Sequence, residues 1–250
     1  MVNSDYEVPS NEPFKPEDAS SKWSAVNGTE LADSNSETVY KWYGTAFGAS
    51  LGTSNIASSS AFSIAKGSDA DGVTFTINAD SGKGKIQKDD DSLVAVFIQI
   101  PFETAFTVSA TATLNTFTNT NNQTGFGMMI RDDITVDQAV TMKGNYVNAG
   151  CIVSNSGADR NVYAGRLNGT QFFSGTKQDF NTATQYSLTI ARTSQSIMAT
   201  VGDNAAYSAV KDFDLGASDS KYVYLCLWAT RGTNVTFSNI TFASSEWVQA

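Results

Sequence analysis

Histidine is absent from this 250-residue chain. Its absence removes histidine general bases, Ser-His-Asp triads and histidine-ligated zinc together. Cysteine occurs only as Cys151 and Cys226, with no CxxC pair. The two read as buried thiols acting as small core hydrophobes, with a single disulfide as the other option. Glutamate stands at only seven positions, and no strand carries two in-facing acids. That argues against the facing carboxylate pair on which glycoside hydrolysis usually depends. No run reaches the ~20 apolar residues that a membrane-spanning helix needs. Charge of either sign is scarce, at 16% of residues, and acids outnumber bases 25 to 16, for a net charge of −9. Such a field repels polyanions, so neither nucleic acid nor an anionic membrane is an expected partner.

Proline is also rare, and three of its four occurrences fall in the first sixteen residues. Residues 1–22 therefore read as a linker-like tail, without the basic-then-apolar order of a signal peptide. Residues 23–250 read as one domain. Its polar positions favour Ser, Thr, Asn and Gly over Lys and Glu, the surface chemistry expected of a secreted bacterial protein. The sequons at Asn27, Asn168, Asn234 and Asn239 are of the kind that Thr-rich strands generate by chance.

What remains is a succession of short alternating runs divided by Gly, Asn, Asp and Ser clusters, the pattern of a sandwich or barrel. The runs are 72–78, 93–100, 105–117, 124–131, 146–154, 161–168, 185–194, 196–202, 222–230 and 234–242, with weaker candidates at 38–47 and 60–66. No amphipathic helix appears, and 135–144 offers at most a single turn. The expected fold is all-β, two antiparallel sheets packed face to face.

Strand parity separates the faces. In "AFTVSATATLN", Phe106, Val108, Ala110, Ala112 and Leu114 share one side, while Thr107, Ser109, Thr111 and Thr113 share the other. In "YVYLCLWAT", Val223, Leu225, Leu227 and Ala229 form the core row. Tyr224, Cys226 and Trp228 then lie opposite, outside the main core. Four residues of strand hold the two rings roughly 13 Å apart, near the length of two or three sugars. The pair reads either as a sugar platform or as a second layer of core.

The stretch "GFGMMIRDD" runs a glycine-bearing apolar strand into Arg131, Asp132 and Asp133. Gly125 and Gly127 lie on the side of Arg131 and would leave a trough that its guanidinium overlooks. A guanidinium pairs a carboxylate bidentately, which suits a uronic acid. Asp132 and Asp133 would orient Arg131 or offer hard oxygen ligands to a structural calcium ion. Tyr146, Lys143 and Arg231 complete the candidate ligand-binding set. Arg131, Lys143 and Tyr146 also keep a polysaccharide lyase as a second reading, and a structural or adhesive surface module is a third.

The segments "GKGKI", "FTVSATATLNTF", "QTGFGMMIRDDI", "GNYVNAG" and "YVYLCLWATRGTNVTFSNITF" occur in this order. In combination the chain resembles the concanavalin-like β-sandwich (jelly-roll) modules appended to secreted bacterial pectate lyases and related pectin-degrading enzymes. The resemblance implies a non-catalytic carbohydrate-binding module. It further implies a plant cell-wall polysaccharide as ligand, pectin above all, and a separate catalytic domain in the same polypeptide.

Overall fold

The computed structural model describes residues 29–47, 62–79, 83–86, 91–118, 124–132, 134, 145–154, 159–167, 170–174, 184–203, 207–210 and 222–248. The tail 1–22, the turn expected at 135–144, and the candidates Asp133 and Lys143 lie outside these residues.

The strands run β1 (Thr29–Ala32), β2 (Val39–Phe47), β3 (Ser63–Asp69), β4 (Gly72–Ala79), β5 (Lys85–Ile86), β6 (Asp91–Pro101), β7 (Ala105–Phe117) and β8 (Gly125–Arg131). They continue as β9 (Tyr146–Ser154), β10 (Asp159–Leu167), β11 (Thr170–Ser174), β12 (Gln185–Arg192), β13 (Ser196–Val201), β14 (Tyr207–Val210), β15 (Tyr222–Thr230) and β16 (Thr233–Ser245). The strands form two antiparallel sheets. One has nine strands in the order β1-β2-β6-β15-β8-β9-β10-β11, with β5 added against the start of β6. The other has seven, in the order β14-β13-β12-β7-β16-β4-β3. The fold is a two-sheet jelly-roll sandwich, as the alternating runs imply.

Aromatic contacts fasten the sheets across their shared core. Trp42 of β2 meets Phe75 of β4 edge-on at 5.0 Å. Phe126 of β8 meets Phe117 of β7 at 5.7 Å and Tyr186 of β12 at 6.1 Å. The row Val94, Val96, Ile98 and Ile100 on β6 lies level with Ala229, Leu227, Leu225 and Val223 on β15, all fully buried. The seven-stranded sheet keeps its other face in contact with water, and among the described residues that face is mostly Ser, Thr and Asn, with Gln185 and Met198 also exposed. Hydroxyls pair there across strands, Thr76 with Thr236 at 2.9 Å and Ser109 with Thr189 at 3.0 Å. Cross-strand pairs of this kind stabilise a sheet modestly and explain an uncharged face without a ligand.

The nine-stranded sheet behaves differently. Strands β6, β8 and β15 are buried on both faces over nearly their whole length. Their sequences are largely apolar rather than alternating, the mark of a doubly covered strand. Parity correctly sets Tyr224 and Trp228 opposite the core row. The expectation of an exposed aromatic platform is corrected, because both side chains are fully buried. They form the second core layer that parity alone left open.

Candidate functional site: the outer face of the nine-stranded sheet

Strand register assembles one cross-strand row on this face. Gln99 of β6 pairs with Tyr224 of β15, Tyr224 with Arg131 of β8, and Arg131 with Tyr146 of β9. The backbone register carries the row on to Arg166 of β10 and Gln171 of β11. Two residues further along lie Phe97, Cys226, Met129 and Asn148, and beyond them Ala95, Trp228, Gly127 and Gly150. Arg131, Tyr146 and Tyr224, separated in sequence, are thus immediate neighbours.

Their contacts are specific. The Arg131 guanidinium makes an ion pair through Nη2 with Asp91 Oδ2 at 3.0 Å, both side chains fully buried. Its Nη1 also donates to Met129 Sδ at 3.5 Å, and its Cζ sits 5.5 Å from the centre of the Tyr146 ring. Gln99 Nε2 donates a long bond to the Tyr224 hydroxyl at 3.4 Å. The Trp228 indole N–H donates to Asn148 Oδ1 at 2.7 Å. That bond orients the Asn148 amide, leaving its Nδ2 donor without a partner, as is the Oε1 acceptor of Gln99. Both atoms are buried, where an unmet polar group costs about 1–3 kcal/mol, so a ligand or ordered water is their natural complement.

The glycines of "GFGMMIRDD" serve a different end from the expected empty trough. A Cβ on Gly125 would come within 2.9 Å of the Trp228 ring, and one on Gly127 within 2.5 Å of Asn148 Oδ1. They make room for the tryptophan and its hydrogen-bonded amide. The expected partnership of Arg131 with Asp132 is also corrected. Asp132 accepts from Asn145 Nδ2 at 2.7 Å, and among the described residues Asp91, forty positions away in sequence, pairs with Arg131. Among the described residues no three of His, Cys, Asp and Glu gather as a metal-holding group. Arg231 stands apart from the row, at the turn after β15, with its N–H bonded to the Lys83 carbonyl at 3.0 Å.

A buried row implies a cover. Asp91 lies eight residues along β6 from Gln99, which is level with Arg131. Eight residues of strand span about 26 Å, too far for two side chains to bridge over a flat sheet. The contact therefore requires the outer face to be concave along β6 or the start of β6 to turn toward it. Local contacts agree. Thr230 Oγ1, on this face, donates to the Ser92 carbonyl at 2.9 Å, and β5 joins β6 through Lys85–Ser92 and Ile86–Asp91. Gly84, at φ +101°, adopts a conformation that L side chains avoid, and a Cβ there would stand 2.1 Å from Thr230 Oγ1. Residues 83–86 and 91–92 form a strap across one end of the site.

Cys226 sits on this face as a protonated, buried thiol. Burial pushes the Cys226 thiol up to about 12, with nearby Arg131 offsetting only part of the shift. Cys151 belongs to the opposite, inter-sheet row beside Phe126, and neither cysteine forms a disulfide. Sequence reasoning missed Gln99 and Asn148, and the reading of Asp91 within "QKDDDSL" as part of a solvated turn, with calcium as its alternative, is corrected, because Asp91 opens β6 with its side chain fully buried. The polar Gln99 within "LVAVFIQI" and Asn148 within "YVNAGCIV" were the available signals, since a lone amide in an apolar run is a buried amide.

No protein-family model matches the chain, and no curated protein matches it. Solved structures do. A functionally unknown protein from Saccharomyces cerevisiae is 17% identical with a TM-score of 0.50, over 74% of this chain and 97% of that one. Arcelin-5, a lectin-like defense protein from Phaseolus vulgaris, is 11% identical with a TM-score of 0.48, over 87% and 97% of the two chains. Alginate lyase A1-II', a member of polysaccharide lyase family 7, is 16% identical with a TM-score of 0.41, over 82% and 95%. What the chain shares at such identities is the sandwich fold.

Proposed function

We propose that this protein is a non-catalytic carbohydrate-binding module whose ligand lies along the outer face of the nine-stranded sheet. The observation that carries the reading is the row Gln99–Tyr224–Arg131–Tyr146, flanked by Asn148 on Trp228. It sets one guanidinium among phenols, amides and an indole, and leaves Gln99 Oε1 and Asn148 Nδ2 unmatched. A uronic acid complements that inventory, with its carboxylate on Arg131 and its hydroxyls on the amides. Pectin is the polyuronate proposed, and the module serves to hold a catalytic domain of a secreted bacterial enzyme on plant cell wall.

Affinity gels containing polygalacturonate, galactan, xylan or cellulose test the reading. Retardation by polygalacturonate that weakens with added salt is the expected result, since a charge-borne contact is screened. Equal retardation by neutral galactan assigns the site to a neutral glycan, and free migration in every gel removes the carbohydrate reading.

A second reading rests on the two phenols that flank Arg131 in the same row. A polysaccharide lyase needs a cation to neutralise the uronate carboxylate and a group to take the proton beside it, and Arg131 with Tyr146 or Tyr224 supplies that set. Incubation with de-esterified pectin, followed by ultraviolet absorbance for unsaturated product, separates the enzyme from the binder.

A further inference from the structure

We propose that Arg192 and Trp247 form a second binding site, at one end of the sandwich, for a sugar that carries a carboxylate. The site is separate from the outer face of the nine-stranded sheet and stands or falls independently of it.

Arg192 ends the inward-facing row of β12, after Leu188 and Ile190, and is only 3% exposed. Its Nη1 donates to the carbonyls of Phe102 and Thr104, in the turn between β6 and β7. Its Cζ lies 4.9 Å from the centre of the Phe102 ring and 4.5 Å from that of Trp247. Among the described residues no acid pairs with it, and its Nε and Nη2 make no hydrogen bond. Burial pulls its pKa down to about 10, and no neighbouring carboxylate opposes the shift. Arg131, the other buried arginine described, does meet an acid. A buried cation without a counter-charge is costly, and carbonyls and aromatic rings offset only part of that cost. Pinning the 102–104 turn gives Nη1 a task and leaves Nε and Nη2 without one. A ligand carboxylate supplies the missing charge in the geometry that a guanidinium accepts.

Trp247 points to a sugar as the bearer of that carboxylate. Trp42 and Trp228 are fully buried, whereas Trp247 is half-buried. Its ring is held by Arg192 and by Phe102 at 6.2 Å, and Ser194 Oγ donates to the carbonyl of the next residue, Val248. Its indole N–H makes no hydrogen bond among the described residues. A fixed aromatic ring with an unused donor is suited to a pyranose, which is apolar on one side and carries hydroxyls at its edge. Glu103 and Glu246, next in sequence to Phe102 and Trp247, are exposed, so solvent screens their repulsion of an acidic ligand.

One sugar on one guanidinium binds too weakly to retard a gel, so the test is an NMR titration of the whole protein. Galacturonic acid is the probe, with galactose and acetate as controls, read on the Arg192 Nε–H and the Trp247 indole N–H. Both resonances are expected to shift with galacturonate, not to shift with galactose, and to require more acetate than galacturonate. Equal shifts with galactose overturn the carboxylate, and an equal Kd for acetate leaves an adventitious ion only and overturns the sugar. Arg192→Lys keeps the charge and a donor for the two carbonyls but loses the fork. It is expected to raise the galacturonate Kd read at Trp247 about tenfold or more. A folded Arg192→Lys protein with an unchanged Kd overturns the proposal. Should that variant fail to fold, the wild-type titration decides alone, and two silent resonances overturn the site. Gel retardation by polygalacturonate beside those silent resonances leaves the outer-face reading standing and removes only this one.

Discussion

At the scale of single residues, the problem is why a chain so poor in charge buries an arginine against an aspartate. Desolvating both ions costs several kcal/mol each, and their attraction repays this only while both are present. Arg131→Met alone should therefore destabilise the fold by about 3–5 kcal/mol, because the buried Asp91 loses the guanidinium it meets at 3.0 Å. The double variant Arg131→Met with Asp91→Leu should recover most of that loss while failing to bind polygalacturonate. Urea melts on both proteins measure this, and a double variant as unstable as the single one would make the pair a structural necessity. Trp228 poses the complementary case. It is fully buried, lies against Gly125 and holds Asn148. Trp228→Ala should lower stability by about 3–5 kcal/mol, as large core truncations do. An Ala variant that melts normally would contradict its place in a second core layer.

Strands show which parts of the fold are legible in sequence and which are not. The bounds of β7, β9 and β15 agree with the alternating or apolar runs read from the chain, residue for residue. Each is a long interior strand with a continuous apolar row to advertise it. Strands β1, β11 and β14 escaped notice. They stand at sheet ends and run to only four or five residues, too short for an alternation to declare itself. At the site, parity gave the correct face for Tyr224, Arg131 and Trp228. Parity cannot tell whether a face is covered. The cover here includes β5 and the start of β6, and their contact with Arg131 depends on a curvature that no local pattern records.

One clamp between distant strands makes its own prediction. Asp33, just after β1, accepts from the Ser244 N–H of β16 at 2.9 Å, the Asn35 N–H at 3.0 Å and the Ser36 hydroxyl at 2.7 Å. Burial by itself would raise this carboxyl, but the hydrogen bonds from Ser244, Asn35 and Ser36 outweigh it and hold it at about 2, below the ordinary 3.8. The folded state thus binds this proton less readily than the unfolded chain. Its contribution to stability is complete above the ordinary value and is lost as pH falls through about 2. Urea midpoints of wild type and Asp33→Asn should differ most at neutral pH and converge within that acidic window. A gap that persists at the lowest pH would locate the effect in packing instead.

Across the whole molecule, the two cysteines report on the two faces of a single sheet. Cys151 sits in the row facing the other sheet, and Cys226 sits in the outer row between Phe97 and Met129. Only a thiolate attacks a labelling reagent, and the reagent must also reach it. Both side chains are fully buried, and burial raises the Cys226 thiol to about 12, so neither should react in the native protein. If the sandwich unfolds as one cooperative unit, urea should expose both thiols at a common midpoint. Mass spectrometry of pulse-labelled peptides gives the two curves separately. Coincident curves are the expected outcome, because outer and inner rows alternate along the same strands β8 and β15, and neither can be stripped without the other. A Cys226 curve that precedes that of Cys151 would instead show the outer face lifting first, with the inter-sheet core outlasting the site it supports.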